Sequence, residues 1–146
     1  MKTHAILTAF RGYIFAATIM LVGTALFAAG QQITLGRTPT GAEISFTRTA
    51  SGEWGIQIAG GPAPRIAQPQ PAAIEVYRAD DDIRELSAGY KTVRRTATGM
   101  DAVADVPSGD VVIFHVRDLC SLSNGVLSVR REVTVRGNSP GGFGSA

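Results

Sequence analysis

The chain has 146 residues, 14 basic and 12 acidic, with one cysteine and 17 glycines. Both basic residues of the first thirty, Lys2 and Arg11, lie in an apolar leader that carries no acid. Without that leader the charges balance, so the basic composition does not support nucleic-acid binding.

The leader reads MKTHAILTAFRGYIFAATIMLVGTALFAAGQQ. Its basic start, uncharged run from Tyr13 to Ala29 and small residues Ala28, Ala29 and Gly30 have the layout of a secretory signal over residues 1–30. The alternative is an uncleaved membrane anchor, since the run reaches the lower limit for spanning a bilayer, about 17 residues. Polar Gln31 and Gln32 directly after the small residues favour cleavage. Either reading puts the remainder outside the cytoplasm, secreted or in a periplasm or cell envelope, and a membrane is a partner only of the uncleaved form.

Residues 31–146 then form one domain of about 116 residues, long enough for a modest core. Ile33 to Leu35 predicts a first edge strand. Glu43 to Arg48 and Trp54 to Ala59 alternate with period two, and Ala50-Ser51-Gly52 joins them as a tight hairpin. Gly60 to Ala72 holds four of the seven prolines, so it reads as a surface connection or an extended linker. Ala73 to Arg78 is a further strand with Ile74 and Val76 inward. From Asp80 to Gly89 the acids, the Ile83/Leu86 spacing and the glycine stop predict one or two helical turns.

Tyr90 to Thr98 and Ala102 to Val106 add two strands. Val111 to Val116 is apolar at both alternating sets and predicts a strand covered on both faces. Leu127 to Arg136 alternates, with Arg131 on the apolar set as either a bulge or a charge reaching the rim. Asn124-Gly125 between the two runs is a strong two-residue turn signal, and Leu119 to Leu122 is a short extra strand or an irregular loop. The expectation is all-β, an antiparallel β-sandwich of about eight strands behind an N-terminal hydrophobic segment, with an open barrel as the alternative.

Candidate chemistry is sparse. Asp80, Asp81 and Asp82 have oxygens for a hard cation but lack the alternate spacing of a calcium loop, so solvated capping acids are the simpler reading. Trp54, Tyr77 and Tyr90 are candidates for carbohydrate contact, against core packing for Trp54. His115 has no second histidine or cysteine at ligand spacing and reads as a hydrogen-bonded structural residue. Cys120, the lone thiol, has no base at an arguable spacing and reads as a small apolar residue in the hairpin loop or at a strand edge. No catalytic, cofactor or metal residue is nominated, and no pair of carboxylates stands out for glycoside hydrolysis.

The run Val126 to Gly142, VLSVRREVTVRGNSPGG, followed by Phe143, resembles the N-terminal β-sandwich of secreted bacterial six-hairpin glycosidases, relatives of α-L-rhamnosidases. Glu53 to Gly60 (EWGIQIAG) and Ala73 to Tyr90 (AIEVYRADDDIRELSAGY) are similar to the same region. In such enzymes the sandwich precedes an (α/α) toroid that carries the catalytic acids. The resemblance implies a non-catalytic accessory sandwich of a carbohydrate-active protein, truncated at its C-terminal end, with a catalytic domain and a glycan as partners. A free-standing carbohydrate-binding or adhesion module is the alternative, and a membrane-anchored envelope protein a third.

Overall fold

The computed structural model describes residues 30–77, 83–109 and 111–137, and the backbone of 142–145. The leader, the Asp80-Asp81-Asp82 triplet and the Asn138 to Gly141 turn lie outside the described residues. Among the described residues the chain is all-β, with no helix and only antiparallel sheets.

The first sheet is a meander of β1 (Gln32–Arg37), β2 (Glu43–Arg48), β3 (Trp54–Ala59) and β4 (Ile66–Gln68). Gly52, at φ +83°, makes the β2–β3 hairpin, and its N–H donates to Thr49 O at 3.0 Å. The proline-rich stretch is an ordered connection that includes β4, a three-residue edge strand paired to β3. So short and exposed an edge is what flanking prolines permit.

The second sheet, ordered β10-β9-β8-β7, is made of β7 (Thr92–Arg95), β8 (Met100–Ser108), β9 (Val112–Ser123) and β10 (Val126–Arg136). Asn124 (φ 50°) and Gly125 (φ 79°) both sit at positive φ, the two-residue turn the sequence predicts. From there β9 and β10 pair without a break from Ser123↔Val126 to Ile113↔Arg136. Leu119 to Leu122 is therefore the end of β9, and Arg131 lies in an unbulged strand. The third sheet, ordered β11-β5-β6, joins β5 (Ala72–Tyr77), β6 (Ile83–Ala88) and β11 (Gly142–Ser145).

Besides the strand number, eleven among the described residues where about eight are expected, two expectations are corrected. The predicted helical turn is β6, paired residue for residue with β5 from Tyr77↔Ile83 to Ala72↔Ala88. Its usable period is two, because Leu86 and Ala88 pack on the core while Ile83 is 59% exposed. Gly89 is a close approach rather than a helix stop: a Cβ there would lie 2.6 Å from Glu53 Cβ. The second correction concerns the run Val111 to Val116 that enters β9, where Val112, Phe114 and Val116 are buried but Val111 and Ile113 are 71% and 41% exposed. The strand is central within its sheet, yet only one face of that sheet is covered.

That covered face meets the other sheets in one core. It draws Phe46 and Trp54 from the first sheet, Ile74, Val76 and Ala88 from the third, and Met100, Ala104, Val106, Phe114 and Val116 from the second. Each sheet contributes an apolar alternate set, so the other set is left for solvent and for chemistry.

Candidate functional site

Three polar arrangements stand out, one inside the core and two on outer sheet faces. The inner one follows from period two. Continuing the inward set of β9 past Val116 brings Asp118 and Cys120 into the core at 0% and 2% exposure. The β9–β10 register sets Arg131 directly opposite Asp118. Arg131 Nε donates to Asp118 Oδ1 and Nη2 to Oδ2, both at 2.8 Å, a two-pronged grip on the carboxylate. Tyr90 Oη donates to Oδ2 at 2.6 Å, so the buried charge is fully engaged.

The same guanidinium reaches the third sheet, donating to Ala73 O at 2.8 Å and Pro71 O at 2.9 Å. It thus ties the start of β5 to the second sheet. Burial, then the Asp118 hydrogen bond, pushes the Tyr90 hydroxyl far above its ordinary range, so it stays a donor. Burial, with the Asp118 charge behind it, raises the Cys120 thiol to about 11. A thiol held protonated in this way is not a nucleophile at neutral pH.

The outer face of the same sheet carries exposed pairs. His115 Nδ1 lies 2.7 Å from Asp105 Oδ1, and Lys91 Nζ 2.9 Å from Asp105 Oδ2. Arg117 Nη2 reaches Asp101 Oδ2 at 2.7 Å and Arg117 Nη1 reaches Glu132 at 3.5 Å. The Lys91 and His115 bonds hold the Asp105 carboxyl below the usual carboxylate range, and Arg117 does the same for Asp101. His115 is therefore hydrogen-bonded but sits on the wet face, its side chain 33% exposed, rather than in the buried run. Among the described residues no three His, Cys, Asp or Glu side chains gather to hold a metal ion.

The third arrangement is a cleft of about 260 Å³ on the outer face of the first sheet, lined by Gln32, Arg37, Glu43, Ser45 and Gln57 with Gly41, Ala59 and Gly60. A register shift between Thr34 and Gly36 bends β1 at this edge. Glu43 is fixed by three donors: Gln32 Nε2 at 2.8 Å, Thr34 Oγ1 at 3.1 Å and Arg37 Nη2 at 2.9 Å. Across the sheet Gln57 Oε1 accepts from Arg65 Nη2 at 2.6 Å, which orients that amide. Ser45, 1% exposed, lies on the floor between them.

The aromatic candidates part company. Trp54 and Tyr90 are brought together by a two-way backbone bridge, N to O at 2.8 Å each way, but both are buried, at 7% and 1%. Arg48 lies over the Trp54 ring at 5.5 Å and Phe46 packs 5.9 Å from the Tyr90 ring. Tyr77 stands apart on β5, 41% exposed, its hydroxyl donating to Glu75 Oε2 at 2.5 Å. Only Tyr77 of the three offers an open ring.

The cleft residues escape a search for motifs, because Gln, Arg and Ser in alternation also describe any wet sheet face. The available signal was the polar set of β1 to β3, where Gln32, Glu43, Ser45 and Gln57 recur at the outward positions. Comparison of the chain with protein-family models, curated proteins and solved structures returned no match.

Proposed function

We infer that this chain is a secreted, non-catalytic accessory β-sandwich of a carbohydrate-active protein, and that it contacts glycan through the cleft over β1 to β3. The observation that carries the reading is the donor and acceptor set of that cleft. The Glu43 carboxylate and the Arg37 guanidinium neutralise one another locally. Around them stand the neutral amides of Gln32 and Gln57, over a floor of Ser45, Ala59 and glycine. A ligand that both donates and accepts, and carries no charge of its own, suits that lining; a sugar ring does all three.

The size bears on what is bound. At about 260 Å³ the cleft falls just short of typical ligand pockets, about 300–1,000 Å³. It therefore suits one ring of a chain, held weakly, as an accessory contact requires. The common core of the three sheets supports their closure as a sandwich, and the leader supports secretion. Tyr77, if it touches glycan, does so from a separate site.

Affinity electrophoresis through gels containing neutral polysaccharides (dextran, galactomannan) or an acidic one (pectin) tests the reading. The chain should be retarded by a neutral polymer. Glu43→Gln should weaken that retardation roughly ten- to a hundredfold, the worth of hydrogen bonds to a charged group, with the circular dichroism unchanged. Unretarded migration in every gel, or equal retardation of the variant, contradicts it.

A further inference from the structure

The outer edge of the second sheet belongs to β10, eleven residues long and free of proline and of bulges. The two-residue turn fixes which backbone groups face outward. Ser123 and Val126 flank it as a hydrogen-bonded pair, so the even-numbered residues of β10 bond to β9. The N–H and C=O groups of Leu127, Val129, Val133 and Val135 therefore point away from β9, where no further strand of the described residues is paired. A long, regular edge of this kind is a template for another strand.

We propose that this edge pairs with the same edge of a second copy, antiparallel and centred on Arg131, to give a two-fold dimer with one continuous eight-stranded sheet. The side chains select both the partner and the register. Centred on Arg131, the pairing sets Val129 opposite Val133 and Arg130 opposite Glu132, each twice over. Arg130 and Glu132 are exposed on the outer face, at 73% and 43%, and pair with each other at 2.6 Å within one chain, so across the seam the two such pairs would join into one alternating four-charge cluster. Moving the centre to Val133 sets Arg130 against Arg136, and moving it to Val129 leaves Glu132 facing Val126. Of these three registers only the first joins opposite charges, and a two-fold axis makes one favourable pair into two; a centre on Thr134 would set Glu132 against Arg136 but would pair only residues 132–136 of β10. The two Arg131 side chains at the centre do not oppose this, since each guanidinium is turned inward onto its own Asp118.

The apolar side of the seam agrees. Val129 is 47% exposed beside the core, and in this register it meets Val133 of the other copy.

Register-specific crosslinking of the full chain tests the proposal. In the dimer Ser128 faces Thr134 of the other copy in a non-hydrogen-bonded pair, with Cα atoms about 4.5 Å apart, within disulfide reach. Within one chain the two are six strand residues apart, about 20 Å, so no internal bond can form. The double variant Ser128→Cys, Thr134→Cys should convert to disulfide dimer under mild oxidation, while Ser128→Cys alone should not. Adding Arg130→Glu, which makes both charge pairs repulsive, should cut dimer yield roughly tenfold. Adding Glu132→Arg as well should restore most of it. A double-cysteine chain that stays monomeric with unchanged circular dichroism, or crosslinking indifferent to Arg130→Glu, overturns the proposal.

Discussion

The two faces of the β10-β9-β8-β7 sheet use the same chemistry for different ends. On the inner face Arg131 grips Asp118, whose side chain is 0% exposed. On the outer face Arg117 grips Asp101 through an equally short contact, 2.7 Å, but with 46% and 22% exposure. Geometry does not distinguish them; water does. Outside, each ion keeps much of its hydration and the pair contributes little. Inside, Asp118 has lost its water and Arg131 most of it, so the arrangement holds only while every partner is present.

Breaking the inner pair should have the largest effect. Arg131→Met leaves Asp118 buried with Tyr90 alone and takes the guanidinium from the carbonyls of Ala73 and Pro71, the latter keeping only the Ala73 N–H. It should cost about 3–5 kcal/mol of stability in urea unfolding. A loss near that of a surface pair would mean that water already reaches Asp118. Tyr90→Phe is milder, removing one donor from the carboxylate and keeping the ring against Phe46; the expected loss is about 1–3 kcal/mol.

The outer pairs should register mainly through pH. Both Asp101 and Asp105 have native values held below the unfolded carboxylate, about 3.9. Their pairing therefore contributes stability above that value and loses it as pH falls below, through the native values. Lys91→Ala removes the main cause of the Asp105 shift. It should cost under about 1 kcal/mol at pH 7 and flatten the fall in urea midpoint below pH 4. An unchanged acid limb would show that Asp105 does not depend on Lys91.

The contrast also marks how far residues alone carry the fold. Period two located β2, β3 and β5 within a residue, and Asn124-Gly125 located the long hairpin, because those signals are local. Arg131 on an apolar set was visible as an anomaly. Its resolution needed the cross-strand register that brings Asp118 opposite, and Asp118 itself lay in a polar stretch readable as loop. The same limit explains β6: Ile83 and Leu86 suit a helix as well as a strand until β5 supplies a ladder. Valine-rich β9 could not declare which of its faces would be wet, since an exposed valine and a buried one are spelt alike.

For the site, the sequence offered aromatic rings, and the core took two of them. Trp54 and Tyr90 are large enough that burying them stabilises more than presenting them. The cleft is spelt by ordinary polar residues from three strands, and only the bend of β1 and the β2–β3 register bring Glu43, Ser45 and Gln57 into one concavity.

The most direct test of the glycan reading is a titration of the isotope-labelled chain with neutral oligosaccharides, followed by backbone amide resonances and by the sugar's own signals. The account predicts shifts concentrated at Gln32, Glu43, Ser45 and Gln57, with the sugar left intact. No shift with any oligosaccharide, shifts centred on His115 and Asp105 instead, or the appearance of new reducing ends would contradict it.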